Sequence, residues 1–184
     1  MTRIVGVSGS LRRGSYNSWL LAAARDVLPS GVTLEIATIR GIPLYDGDAE
    51  AADGIPEAVT TLKNAIASAD GLLLSTPEYN SGIPGVFKNA IDWASRPTAD
   101  IAKVFGGRPV ALMGTSPGNF GTILSQSAWL PVLRTLGTNL WNGGRMMVPQ
   151  ASKVFDSEGK LTDDATRERL RNFLAGFAAS IQAK

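Results

Sequence analysis

Short apolar segments alternate along this chain with longer segments in which apolar residues recur at helical spacing. The short segments predict strands at residues 3–9, 32–39, 71–75 and 108–116, and a weaker fifth strand at 138–142. A regular alternation of strands and helices is typical of a parallel sheet that helices cover on both faces. The pattern therefore predicts an α/β fold.

Proline and capping residues indicate where several helices begin or break. Pro56 suits the first position of a helix, Pro131 is expected to bend or interrupt one, and Thr162 is expected to cap the last one. A long loop, RGIPLYDGDAEAADG, is expected between the second strand and Pro56. The sequence contains no internal repeat, low-complexity tract or linker, so residues 1–184 are expected to form a single domain.

Composition narrows the class of protein. Of the 184 residues, 44% are hydrophobic and 18% are charged, which is ordinary for a globular protein. No apolar run has the length of a membrane span, and the first residues lack a signal-peptide pattern, so we expect a cytoplasmic protein without membrane contact. Lysine and arginine are scattered and the net charge is only +2, so nucleic-acid binding is not expected.

Two residue types are absent, and their absence restricts the chemistry. Without cysteine the chain has no disulfide, thiolate nucleophile or thiolate metal ligand, and without histidine it has no Ser-His-Asp triad and no imidazole ligand. The acidic segment 46–57 has Ala51 where a calcium loop needs glycine, so we interpret it as a solvated loop and expect no metal site. A bound organic cofactor is the favoured source of chemistry.

Three glycine- and serine-rich loops follow the first, third and fourth predicted strands. Their sequences are SLRRGSYN, TPEYNSG and TSPGNFG. Ligands of open α/β sheets bind at the carboxyl ends of the strands, where the winding direction switches. We therefore expect these loops to lie side by side and to form the binding site.

The first loop has the composition of a phosphate site. Ser8, Ser10, Ser15 and Asn17 offer hydrogen-bonding groups where a strand passes into a helix, and a helix N-terminus attracts anions. A capping role would explain Ser15 or Asn17 alone, but not all four residues together. The loop lacks the lysine of a Walker motif, the G-x-G-x-x-G fingerprint, and the final glycine of a nucleophile elbow.

The loop after the third strand is suited to a planar ring. Pro77 and Pro84 stiffen STPEYNSGIPG, Tyr79 offers a flat face, and the amides of residues 78–81 are expected to be free to meet a heteroaromatic edge. The alternative is that Tyr79 simply packs over the neighbouring helix.

Four segments, GSLRRGSYN, IPLYD, TPEYNSGIPGVFKNAIDWASRP and TSPGNFG, resemble the NAD(P)H-dependent FMN reductase family, which includes chromate and quinone reductases. The resemblance spans nearly the whole chain and departs from the family pattern between Leu124 and Met147. It implies a flavodoxin-like three-layer α/β/α sandwich with a five-stranded parallel sheet of order 2-1-3-4-5. It also implies bound FMN and an assembly of two or four copies.

The resemblance also assigns roles by position. The residues expected around the FMN phosphate are Ser8, Ser10, Arg12, Ser15, Tyr16 and Asn17. Those expected to line the isoalloxazine ring are Pro77, Glu78, Tyr79, Asn80 and Ser81, with Ser116 and Gly118 closing the pocket. Arg96 is a candidate contact for the nicotinamide nucleotide or the substrate.

The implied reaction is a hydride transfer from NADPH or NADH to FMN. Electrons would then pass to a quinone, a free flavin, an azo compound or an oxidised metal ion in a ping-pong sequence, with no protein acid or base required. Two alternatives stay open. One is a flavodoxin-type electron carrier, although such carriers are usually strongly acidic, and the other is a regulatory protein that keeps the fold without turnover.

Overall fold

The computed structural model describes residues 1–183, and this part of the chain contains six strands in one sheet. They are β1 (Thr2–Ser8), β2 (Val32–Ala37), β3 (Gly71–Ser75), β4 (Pro109–Thr115), β5 (Asn139–Leu140) and β6 (Met146–Val148). Every pairing is parallel, the strand order is β2-β1-β3-β4-β5, and β6 also pairs with β4. The predicted parallel sheet and its order are confirmed.

Helices cover both faces of this sheet. They are α1 (Tyr16–Asp26), α2 (Gly47–Asp53), α3 (Glu57–Ser68), α4 (Gly85–Ala94), α5 (Ile101–Val104), α6 (Ile123–Thr135), α7 (Ala151–Val154) and α8 (Asp164–Gln182). Helices α1 and α8 pack on one face, and α3, α4 and α6 pack on the other. The arrangement is a three-layer flavodoxin-like sandwich.

Alternation along the strands explains why the sheet is buried on both sides. Successive side chains of a strand point to opposite faces, so an apolar strand can contribute to two cores. Ile4 of β1 and Leu73 of β3 belong to the core under α1 and α8. Their sequence neighbours, Val5 and Leu72, point the other way and belong to the core under α3 and α4.

The region after β4 differs from the prediction. The fifth strand is only two residues long, and the same position in the sheet is resumed by β6 at Met146–Val148, which the sequence pattern did not predict. Pro131 does not interrupt α6, which runs from Ile123 to Thr135 with the proline inside it.

Two helices also begin differently from the sequence-based prediction. The acidic segment that we expected to be a loop contains α2, whose N-cap Asp46 accepts a hydrogen bond from the amide of Asp48. The last helix is capped by Asp163 rather than Thr162, because the Asp163 carboxylate accepts from the amide of Thr166 at 2.7 Å. Hydrogen bonding to Thr166, through its side chain first and its amide second, lowers the pKa of Asp163.

Candidate functional site

The three loops singled out by their composition meet at the carboxyl edge of the sheet. They follow β1, β3 and β4, which are neighbours in the sheet. Main-chain hydrogen bonds continue the strand pairing into the loops, from the amide of Gly9 to the carbonyl of Ser75 at 2.9 Å and from the amide of Thr76 to the carbonyl of Met113 at 2.9 Å. The expectation that these loops lie side by side is therefore met.

The first loop leads to the N-terminus of α1, which is left without a side-chain cap. Ser15 occupies the N-cap position in an extended conformation, but its hydroxyl makes no capping bond, and the first turn of α1 carries no acidic residue. Helix N-termini attract anions because their first amides lack partners and their dipole is positive. The amides at the start of α1 are therefore available to an anion such as a phosphate.

Internal hydrogen bonds shape the rest of this loop. The Ser10 hydroxyl accepts from the amide of Arg12 at 3.3 Å, and the Arg12 guanidinium donates to the carbonyl of Gly14 at 2.9 Å. Arg40, just after β2, donates to the carbonyl of Leu11 at 2.6 Å. Arg40 therefore helps to hold the loop, a role that nothing in the linear sequence indicated.

Three more residues predicted to surround a phosphate have side chains that contact the protein itself. The Ser8 hydroxyl accepts from Ser18 at 3.0 Å, and the Tyr16 ring lies edge-on to Trp19 with ring centres 5.2 Å apart. Asn17 is buried. Its side-chain NH₂ group donates to the main-chain carbonyl of Thr115 at 2.9 Å, and its side-chain oxygen accepts from the main-chain amide of Thr115 at 3.1 Å. Asn17 thus joins the start of α1 to the end of β4.

The loop after β3 forms a tight hairpin that presents Tyr79. The amide of Tyr79 donates to the carbonyl of Gly82 at 3.2 Å, and the amide of Gly82 donates to the carbonyl of Tyr79 at 3.0 Å. Asn80 and Ser81, between them, have positive φ values of 50° and 62°, as a two-residue hairpin with a left-handed turn requires. The Tyr79 amide is thus paired and is not one of the free amides expected at 78–81. Tyr79 itself is 46% exposed.

Glu78 attaches this hairpin to α6. One of its carboxylate oxygens accepts from the amides of Leu124 at 2.8 Å and Ser125 at 3.1 Å, both in the first turn of α6. The buried hydroxyl of Thr76 lies 2.8 Å from that of Ser125 and accepts from the indole N–H of Trp129 at 3.0 Å. The base of the hairpin is therefore held by a buried polar cluster.

The loop after β4 is held by contacts of its own. The Ser116 hydroxyl donates to the carbonyl of Gly121 at 2.6 Å, and the carbonyl of Gly118 accepts from the amide of Gln150 at 2.9 Å. These bonds fix the conformation of the loop that follows β4 and carries Ser116 and Gly118.

Arg96 lies at the other end of α4 from the hairpin. Helix α4 has ten residues and therefore spans about 15 Å. The Arg96 guanidinium donates to Glu50 at 2.8 Å, and the Tyr45 hydroxyl donates to the same carboxylate oxygen at 3.0 Å. The bond from Arg96 lowers the pKa of Glu50, and the bond to Glu50 raises the pKa of Tyr45. Within one chain, Arg96 is thus apart from the three loops.

The geometry fits FMN. An uncapped helix N-terminus without acidic residues suits the phosphate. A hairpin with an exposed aromatic ring, after the neighbouring strand β3, suits the isoalloxazine. The fold and the site define a flavodoxin-like FMN-binding protein. No helix within residues 1–183 is long and apolar enough to cross a membrane.

Comparisons with known proteins specify the family. A family model described as NADPH-dependent FMN reductase matches residues 2–153. The chain is 44% identical to a Pseudomonas aeruginosa protein named NAD(P)H-dependent FMN reductase, over 94% of this chain and 91% of that protein. It is 40% identical to a 2-hydroxy-1,4-benzoquinone reductase from Burkholderia, over 98% of this chain and 96% of that protein.

A solved structure supports the same assignment. FerB, a flavoenzyme NAD(P)H:(acceptor) oxidoreductase from Paracoccus denitrificans, matches with a TM-score of 0.87 at 32% identity, over 100% of this chain and 98% of that one. The chain belongs to the NADPH-dependent FMN reductase family. It is therefore an oxidoreductase that uses FMN as its cofactor and NAD(P)H as its reductant.

Proposed function

We propose that this protein catalyses the oxidation of NAD(P)H and the reduction of quinones in a ping-pong sequence. The observation that carries the proposal is the meeting of the uncapped α1 N-terminus with the Tyr79 hairpin at one edge of the sheet. When bound there, FMN supplies the hydride-accepting and electron-releasing chemistry that the side chains lack.

The chain's own residues bind and orient the cofactor. The residues that would hold the phosphate are Ser8, Ser10, Arg12, Ser15, Tyr16 and Asn17, the last two through the first amides of α1. Those that would support the ring are Pro77, Glu78, Tyr79, Asn80 and Ser81, with Ser116 and Gly118 beside it. Glu78 contributes by holding the hairpin to α6, since its carboxylate is bonded to that helix.

Quinones are the acceptors that we propose first. The relative from Burkholderia and the relative from Escherichia coli strain K12, which is 35% identical, are both named quinone reductases. The exposed Tyr79 ring suits flat acceptors with few specific contacts, so free flavins and azo compounds are further candidates. Oxidised metal species such as chromate are also candidates, because reduced FMN can release its electrons to them one at a time. Because NAD(P)H is supplied in the cytoplasm, we propose that the protein acts there.

We also propose that two copies associate through the carboxyl edge of the sheet. Large apolar side chains are exposed in the segments that follow β2, β3 and β4, including Leu44, Val86, Phe120 and Leu124. Exposed apolar side chains gathered on one side of a protein indicate an interaction surface.

The test is a visible spectrum of the protein loaded with FMN and desalted. Under anaerobic conditions, NADPH or NADH should bleach the flavin absorbance, and a quinone added afterwards should restore it. The Ser15→Asp variant, treated identically, should be colourless after desalting. If the retained colour persists with both reductants, the protein is an electron carrier and the proposal is wrong.

A further inference from the structure

The position of the fifth strand in the sheet is divided between two short strands. Strand β4 pairs with β5 through Val110 and Leu140, and with β6 through Met113 and Met146. The amide of Trp141 still donates to the carbonyl of Val110 at 2.8 Å, and residues 142–145 leave the sheet. Trp141 turns toward α8, where its ring centre lies 5.2 Å from that of Phe173. The edge of β4 is therefore open where the two short strands are separated.

A groove occupies this opening, between α6 and the segment that leaves the sheet. Its volume is about 470 Å³, within the range of roughly 300–1,000 Å³ that is usual for small-molecule sites. Leu112, Leu130, Trp141 and Met147 form apolar parts of its wall. The residues that line it include none of those assigned to FMN, so the groove is separate from the flavin site.

Two arginines give the groove a positive charge. Arg134, in the last turn of α6, and Arg145, just before β6, both line it. Neither guanidinium makes a hydrogen bond or an ion pair within residues 1–183, and the lining residues include no aspartate or glutamate. Elsewhere arginines such as Arg96 and Arg108 bond to nearby carboxylates or carbonyls. The negative end of the α6 dipole stabilises the positive charge of Arg134, which explains an arginine at that position. The dipole does not explain Arg145, which lies outside the helix.

We propose that this groove is a binding site for a small aromatic carboxylate. The guanidinium groups of Arg134 and Arg145 would bind the carboxylate, since arginine donors match its planar geometry. The aromatic body would lie against Trp141 and the aliphatic side chains of Leu112 and Leu130, where an apolar ring loses its contact with water. The proposal does not depend on the reaction at the flavin.

Titration calorimetry on the FMN-loaded protein tests the proposal, with naphthoate as the probe. We expect one site per chain and no change in the flavin absorbance. The double variant Arg134→Gln/Arg145→Gln should bind naphthoate roughly tenfold more weakly or worse, because charge-assisted hydrogen bonds are the stronger ones. Arg25→Gln, which removes an exposed arginine on α1, should leave the affinity unchanged. Naphthamide, the neutral analogue, should bind the original protein as weakly as naphthoate binds the double variant.

Several results would overturn the proposal. They are a lack of naphthoate binding, equal binding to the double variant, equal binding of naphthamide, or a shift of the flavin spectrum that places the probe at the FMN site. Sedimentation of the double variant supplies a further check. If the two substitutions separate an assembly of copies, the groove is an interface within the assembly and the proposal is wrong. Leu130→Glu, at a side chain that is 39% exposed, should abolish binding while the protein stays folded.

Discussion

The carboxylate of Glu78 accepts a hydrogen bond from the main-chain amide of Leu124 at 2.8 Å. This contact joins the hairpin that presents Tyr79 to the first turn of α6, and it also caps that helix. Residues 46 positions apart in the sequence are thereby brought together. The hairpin is consequently not an independent loop, and its position depends on a helix from a later part of the chain.

Replacement of Glu78 should therefore affect both stability and FMN affinity. Glu78→Ala removes the cap of α6, and loss of a cap typically costs about 0.5–2 kcal/mol. Glu78→Gln keeps one acceptor oxygen and should give an intermediate effect. Urea unfolding and FMN titration would measure the two quantities. Glu158→Ala, at an exposed loop position, is the control and should match the original protein.

Ser15→Asp should separate stability from cofactor binding. Aspartate is a favourable N-cap residue, so α1 should be at least as stable as before. The added carboxylate would stand where the FMN phosphate binds, and like charges a few ångströms apart near a protein surface repel by about 4 kcal/mol. We expect FMN affinity to fall by about a thousandfold, because each 1.4 kcal/mol or so changes an affinity tenfold. Ser30→Asp adds the same charge beyond the end of α1 and should bind FMN normally.

Tyr79→Ala should weaken FMN binding or slow turnover without destabilising the fold. Tyr79 is 46% exposed, and its side chain makes no hydrogen bond within the described residues. Base–aromatic stacking contributes about 1–3 kcal/mol by alanine substitution, so roughly a tenfold loss of affinity is expected. Tyr79→Phe keeps the ring and should behave like the original protein. Unchanged affinity and unchanged kinetics for Tyr79→Ala would mean that the ring does not contact the flavin.

The strands that are buried on both faces were predicted well from the sequence. In β3, for instance, Gly71–Ser75 is buried throughout and contains three consecutive leucines, so its pattern needs no partner to be recognised. Strand β6 was missed because it has only three residues and owes its conformation to pairing with β4. Its local pattern, MMV after two glycines and an arginine, does not distinguish a strand from a loop.

The meeting of the three loops was predicted from the sequence, whereas the hydrogen bonds of single side chains were not. Glycine, serine and proline content marked the three loops because those residues shape turns. The bonds of Glu78 to α6 and of Asn17 to Thr115 depend on elements that approach only in the folded chain. A carboxylate and an amide can serve a ligand or the protein equally well, so residue type alone does not decide between the two uses.

Asn17→Ala should destabilise the protein more than other substitutions on helix surfaces. Its side chain bonds to both main-chain groups of Thr115, and it accepts from the Ser75 hydroxyl at 3.2 Å. Each buried polar group left unpaired costs about 1–3 kcal/mol. Urea unfolding should show a loss of that order. Asn64→Ala, on the exposed side of α3, should change stability by less than about 0.5 kcal/mol, and an equal effect of the two would contradict the role of Asn17.

The bond between Arg96 and Glu50 should make stability depend on pH in the acidic range. The hydrogen bond from Arg96 lowers the pKa of Glu50 below its ordinary value of 4.5. A carboxylate with a lowered pKa stabilises the fold fully above the pKa of the unfolded chain, and that contribution is lost as the pH falls through the lowered value. Glu50→Gln should therefore destabilise the protein near neutral pH, and the difference from the original protein should shrink below pH 4.5. Urea unfolding across this range would measure the effect, with Glu158→Gln as the control. A difference that stays constant with pH would mean that Glu50 acts through packing rather than through its charge.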